Sequence, residues 1–175
     1  MQSFTEAAAE AHGVTLYTVS EAERHMLRSF WDGPDRTATP LVVEAEFYWR
    51  VGPGYLHGFI DRIQQCSDGT IELIDFKTSR TASTEAEARQ SLQLLIYALA
   101  ARESYKVELD RLSLVYPRLE KRVSVSFTDE ELRTARMAIV TLMERARTAN
   151  YEEVDTRHCS VCEYRLICPA ASLFQ

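Results

Sequence analysis

Asp75 and Lys77 stand two residues apart near the end of the apolar run IELIDFK, residues 71 to 77. Side chains alternate faces in a strand, so this carboxylate and ammonium project together while Ile74 and Phe76 point the other way. A second carboxylate, Asp61, lies near the end of the preceding stretch YLHGFIDRI, residues 55 to 63. If the two stretches pair, Asp61 and Asp75 approach one another, and they repel unless a cation lies between them. Mg²⁺ suits such a pair, because it is held by a few carboxylates together with water and substrate phosphate. A lysine beside them can orient or deprotonate a water, or stabilise charge developing on phosphorus. The bland alternative is a cross-strand ion pair in which Lys77 simply neutralises Asp75.

Two further groups could do chemistry. Gln93 and Tyr97 are four residues apart, so they share one face of a helix and break an otherwise apolar segment, LQLLIYALAA. A helix edge at the surface is the competing explanation. Cys159, Cys162 and Cys168 form a C-x2-C-x5-C-P pattern, with Cys66 far upstream. Three grouped thiols suggest a metal or cluster site rather than a disulfide framework. A zinc site completed by His158 or water, and three unliganded thiols, are the alternatives.

The elements that must position these residues follow from hydrophobic period and end signals. Residues 1 to 14 give a weak helix pattern. Residues 20 to 31 read as a helix with Ser20 and Glu23 as a capping box and an apolar stripe of Met26, Leu27 and Phe30. Strands are predicted over 41–51, 55–63 and 70–77, separated by Gly52-Pro53-Gly54 and by QQCSDG, as an antiparallel meander. A helix over 85–102 starts at the capping box Thr84 and Glu87. Two more strands flank the turn Pro117–Glu120, and Thr128 caps a long helix whose stripe Leu132, Ala135, Ile139, Leu142 and Ala146 should be core. The order α-βββ-α-β(β)-α indicates a sheet with helices packed against it. Glu44 and Glu46 fall on the first strand; either could add a water-mediated metal contact, and an exposed strand face explains them nearly as well.

The chain has 175 residues, 46% of them hydrophobic, enough for one domain with a core, so residues 1–175 are expected to form a single unit. No apolar run approaches a membrane span, and the chain is expected to be soluble and cytoplasmic. A net charge of −6 argues against coating nucleic acid, but a local basic groove would suffice for an enzyme. Arg118, Lys121 and Arg122 form the most basic short stretch, either a solvated hairpin or a DNA contact. Acidic residues cluster at helix starts and in a late linker with Glu152, Glu153 and Asp155.

Taken together, HGFIDRI, IELIDFKTS and QLLIY resemble the G-x-x-D-R, D-(Y/F)-K-T and Q-x-x-x-Y motifs of the PD-(D/E)XK nuclease superfamily. The likeness is greatest to RecB-type and AddB-like nuclease domains and extends to the CRISPR-adaptation nucleases, over about Met26 to Pro169. It implies a restriction-endonuclease-like mixed α/β sheet and a Mg²⁺- or Mn²⁺-dependent deoxyribonuclease. Asp61, Asp75 and the Phe76 main-chain carbonyl would hold the metal, Lys77 would assist the attacking water, and Gln93 and Tyr97 would support substrate. The substrate implied is DNA ends or single strands in repair and recombination, with a helicase as partner. The cysteine segment resembles the iron–sulfur segment of such nucleases, so Cys159, Cys162 and Cys168 are expected to ligate a 4Fe-4S cluster. The family's fourth, upstream cysteine and its G-x-x-x-H histidine have no counterpart here, since His12 and His25 lack the glycine. That pattern suggests the C-terminal portion of a longer nuclease or helicase–nuclease, and leaves a non-catalytic DNA-binding or scaffold domain as the rival function.

Overall fold

The computed structural model describes residues 20–148 and 159–168. The weak opening helix, His12, His158 and the acidic linker residues lie outside them. Helix α1 (Glu21–Asp32) begins as expected: Ser20 Oγ accepts the Glu23 N–H at 3.3 Å while Glu23 Oε2 accepts the Ser20 N–H at 2.8 Å. Strands β1 (Thr39–Val51) and β2 (Gly54–Gln65) form a long antiparallel hairpin, and β3 (Ile71–Phe76) pairs antiparallel with the far end of β2. Gly52 carries φ +53° in the hairpin turn, a conformation that an L side chain adopts only with strain. The chain then crosses over through α2 (Glu85–Arg89) and α3 (Leu92–Tyr105) to β4 (Arg111–Tyr116), parallel to β3. Such a parallel step needs a long crossover, which the helices supply. Strand β5 (Lys121–Val125) returns antiparallel, giving the order β1-β2-β3-β4-β5, and α4 (Asp129–Thr148) closes the described fold. This is the mixed sheet flanked by helices that the motifs implied.

Three elements depart from the sequence reading. The helix expected over 85–102 is two helices, because Ser91 is extended at ψ 112° and its hydroxyl accepts the Leu94 N–H, restarting the helix with a cap of its own. In α4, Leu132, Ala135 and Ile139 are buried, but Leu142 and Ala146 are exposed. The helix outruns the sheet: Val140 and Met143 meet the hairpin turn at Gly52 and Gly54, and residues 144–148 of the helix are exposed. The apolar stripe of α1 also buries nothing completely; Leu27 is exposed and Phe30 packs edge-on against Phe76.

One face of the sheet and α2 to α4 enclose the core, which includes Phe47, Ile63, Leu73, Leu94 and Leu112. Each such side chain contributes about 1.5–3 kcal/mol by leaving water. A buried ionic group fills part of the structure that the core does not. Glu72, fully buried, accepts a hydrogen bond from Ser113 and pairs with Arg111 and Arg122, and Arg122 also pairs with Asp35. Gln64 Nε2 donates to Asp35 Oδ1 at 2.8 Å and to Glu72 Oε2 at 3.2 Å. Burial raises the Glu72 carboxyl, but the hydrogen bonds from Ser113 and Arg111 and the charge of Arg122 outweigh it and hold it at about 2. Arg122 is therefore engaged in the fold rather than held out as a loose cation. Among the described residues, no helix is long and apolar enough to cross a membrane.

Candidate active site

The hairpin projects past the end of β3, and the candidate residues gather where the three strands part. Inward-facing residues on β2 step from Ile60 to Ile63, three apart instead of two. Opposite this step Glu44 has φ 45°, a left-handed conformation that costs a non-glycine residue energy. Val42 still pairs with Ile63 and Ala45 with Ile60, so both strands turn over at one level. Asp61 sits at that level, one step beyond the pair Arg62–Ile74, which sets it opposite Asp75. Its Oδ2 accepts the Phe76 N–H at 2.8 Å, fixing the carboxylate against the end of β3.

Asp75 is 3% exposed. Lys77 follows it on the same side, because the Lys77 N–H donates to Val115 O at 2.8 Å and extends the parallel pairing by one residue. Lys77 Nζ lies 2.6 Å from Asp75 Oδ2 and donates to Gln93 Oε1 at 2.8 Å. Gln93 Nε2 in turn donates to the Tyr97 hydroxyl at 2.9 Å. Four side chains from a strand and a helix thus form one polar chain. Tyr97 is anchored by Phe47, whose ring stands edge-on to it at 6.1 Å. Phe47 in turn lies over Gly58, where an added Cβ would come within 2.8 Å of Phe47 Cζ. Gly58 is the glycine of the G-x-x-D-R motif, and a glycine inside a strand signals a close approach of this kind; Phe47 carried no such signal in the sequence.

The electrostatics leave room for a cation. Burial pushes the Asp75 carboxyl up; Lys77 opposes this, and the charge of Asp61 adds to it. Asp75 Oδ2 has the Lys77 ammonium 2.6 Å away, off the direction of a well-formed hydrogen bond, and no other donor on it. A buried carboxylate oxygen in that position, with a second carboxylate opposite, fits a hard divalent cation. Burial also raises the Tyr97 hydroxyl, against the hydrogen bond from Gln93.

Asp61, Asp75 and Lys77 therefore lie together, Gln93 and Tyr97 join them through Lys77 as the resemblance implied, and Phe76 lies between Asp75 and Lys77. The other candidates do not join them. Glu46 Oε1 lies 2.6 Å from His57 Nε2, Glu44 is exposed, and His25 pairs with Glu120 at 3.2 Å. Among the described residues no three His, Cys, Asp or Glu side chains gather closely enough to hold a metal ion. That departs from the expected convergence of Cys159, Cys162 and Cys168, which are all free thiols. Cys159 opens a 3-10 turn, the Cys162 N–H donates back to Cys159 O, and the Cys168 N–H donates to Tyr164 O. These backbone turns leave Cys162 exposed while the other two are half-buried. As folded, the three thiols do not fit the ligand set of an iron–sulfur cluster.

A family model described as the PD-(D/E)XK nuclease superfamily matches residues 2–169. No curated protein matches the chain. Among solved structures it is similar to "Crystal structure of SSO0001", at 23% identity and TM-score 0.47, over 83% of this chain and 66% of that one. A repair endonuclease from Pyrococcus abyssi matches at 18% identity and TM-score 0.31, over 70% of this chain and 46% of that one. The structure of an EndoMS–dsDNA2 complex matches at 21% identity and TM-score 0.30, over 58% of this chain and 37% of that one. The chain thus spans less than two thirds of each of these three.

Proposed function

Because the chain belongs to the PD-(D/E)XK nuclease superfamily, we propose that it hydrolyses phosphodiester bonds in DNA with a divalent cation at Asp61 and Asp75. The single observation that carries this reading is the chain Asp75–Lys77–Gln93–Tyr97, which fixes an ammonium beside a buried carboxylate. Asp61, Asp75 and the Phe76 main-chain carbonyl would hold Mg²⁺ or Mn²⁺, with water and phosphate oxygens completing the shell. When bound, the cation supplies positive charge opposite the scissile phosphate.

The protein's own part centres on Lys77. Its ammonium has three donors. One faces Asp75 and one is given to Gln93, so one remains for the attacking water or for a phosphate oxygen on which charge develops. Tyr97 and Gln93 act as positioning residues, since they restrict where that donor points. Burial of Asp75 excludes water that would screen these charges. DNA ends or single strands are the substrate, in repair or recombination and beside a helicase; the resemblance of the three motifs, in order, supports this. The chemistry has no step through the cysteine segment.

A non-catalytic DNA-binding domain is the second reading. It is favoured by the meeting of only two acidic side chains at this site among the described residues. Mn²⁺ calorimetry on the wild type and on Asp75→Asn tests the first reading. Binding in the wild type that is lost in the variant supports it. Equal affinity in the two proteins overturns the metal assignment, and with tight DNA binding would favour the second reading.

A further inference from the structure

The face of the hairpin turned away from the core carries a run of rings that the proposed chemistry does not use. Tyr48, Tyr55 and Phe59 are 63%, 53% and 53% exposed, and His57 lies among them. Tyr48 and Tyr55 stack with centroids 4.8 Å apart, His57 lies 6.2 Å from Tyr48, and Phe59 meets His57 edge-on at 5.5 Å. Pairing across the hairpin arranges the outward residues in rungs: Arg50 with Tyr55, Tyr48 with His57, Glu46 with Phe59. Successive rungs are about 7 Å apart, twice the rise per residue of a strand. At the next step β2 turns over, so Asp61 leaves this series and sides with Ile63 and Asp75. The ladder therefore ends one level short of the candidate metal site.

Several exposed rings in contact are costly to leave in water, and their kind limits what could cover them. Tyrosine and histidine offer flat faces with polar tips, unlike the branched aliphatic side chains that fill a protein core. Glu46 is paired with His57, so the acidic group on the ladder is compensated, while Arg50 stands exposed at its outer end. Flat rings in series with a cation alongside suit unpaired bases, which stack on any aromatic face, and a phosphate backbone. Paired bases in a duplex have their faces already occupied.

We infer that the Tyr48–Tyr55–His57–Phe59 ladder is a stacking platform for single-stranded DNA, which it feeds to the site at Asp61 and Asp75. The second clause rests on the proposed nuclease chemistry; the platform itself does not.

Fluorescence anisotropy in EDTA separates the two, because it reads binding without cleavage. The probes are a single-stranded oligo-dT, an abasic strand of the same length, and a blunt duplex. The wild type should prefer oligo-dT to the abasic strand. Tyr48→Ala and Tyr55→Ala should each weaken oligo-dT about tenfold and leave the abasic strand unchanged. Tyr48→Trp should retain binding, which a loss of fold would not allow. Arg50→Ala should weaken both single strands together. Unchanged oligo-dT affinity in the tyrosine variants, or equal loss on both strands, overturns the platform. So does a wild-type dimer in sedimentation that Tyr48→Ala converts to monomer, since a second copy would then cover the rings. Metal-dependent cleavage with an idle ladder removes this inference and spares the nuclease; ladder-dependent binding without cleavage does the reverse.

Discussion

Lys77 and Gln93, sixteen residues apart on a strand end and a helix, are joined by a 2.8 Å hydrogen bond from Nζ to Oε1. The same lysine lies 2.6 Å from Asp75, so its ammonium is held from two sides. Gln93→Leu removes one of them and leaves the carboxylates in place. Cleavage should fall about tenfold in that variant, as expected for one lost hydrogen bond to a charged group, while Mn²⁺ affinity stays the same. Tyr97→Phe deletes only the acceptor of the Gln93 amide and should have the smaller effect. Single-turnover cleavage with parallel calorimetry measures both; a larger loss in Tyr97→Phe than in Gln93→Leu would contradict the order of the chain.

Acid should weaken the fold through Glu72. Its carboxyl ordinarily titrates near 4.5 and is held at about 2 in the folded protein. A depressed value means that the folded state prefers the ionised form, so the contribution is fully present above pH 4.5. It is lost as the pH falls toward 2, and amounts to about 3 kcal/mol. Glu72→Gln leaves Arg122 without one of its two partners and should be less stable at pH 7. Urea unfolding across pH 7 to 3 checks this: the gap between wild type and variant should narrow with acid, and a constant gap would contradict it.

Gly58 keeps the site's scaffold in register. A methyl group there would meet Phe47 Cζ at 2.8 Å, and Phe47 supports Tyr97. Gly58→Ala should destabilise the protein by about 1–3 kcal/mol through overpacking and lower cleavage as Tyr97 shifts. Adding Phe47→Leu should recover part of the stability without the activity. Thermal unfolding of the single and double variants decides it; full stability in Gly58→Ala would show that the ring can move freely.

How much of this was legible depended on whether a residue's signal was local. Strand alternation placed Asp75 beside Lys77, and helix period placed Gln93 beside Tyr97; both relationships are found. Capping chemistry located the starts of α1 and α2, at Ser20 and Thr84. Some of what stayed hidden was non-local, and some was local. Glu72 drew no reading from the sequence, and it is fully buried because Arg111, Arg122 and Ser113, thirty-nine to fifty residues later, complete its partners. Ser91 passes for a helical residue until its hydroxyl caps the next helix. Leu142 has the right period for the core but lies where the helix has left the sheet. The thiol spacing suggested convergence, but spacing alone does not set the turns between the cysteines.

The central claim is that Asp61, Asp75 and Lys77 make one metal-dependent hydrolytic site. Its most direct test is single-turnover cleavage of an end-labelled single-stranded DNA with Mn²⁺, by the wild type and by Lys77→Met. The wild type should cleave only when the metal is added, and the variant should be slower by at least about 10²-fold with unchanged Mn²⁺ affinity. Equal cleavage by the two proteins, or none by the wild type on single- or double-stranded DNA with either cation, would contradict it.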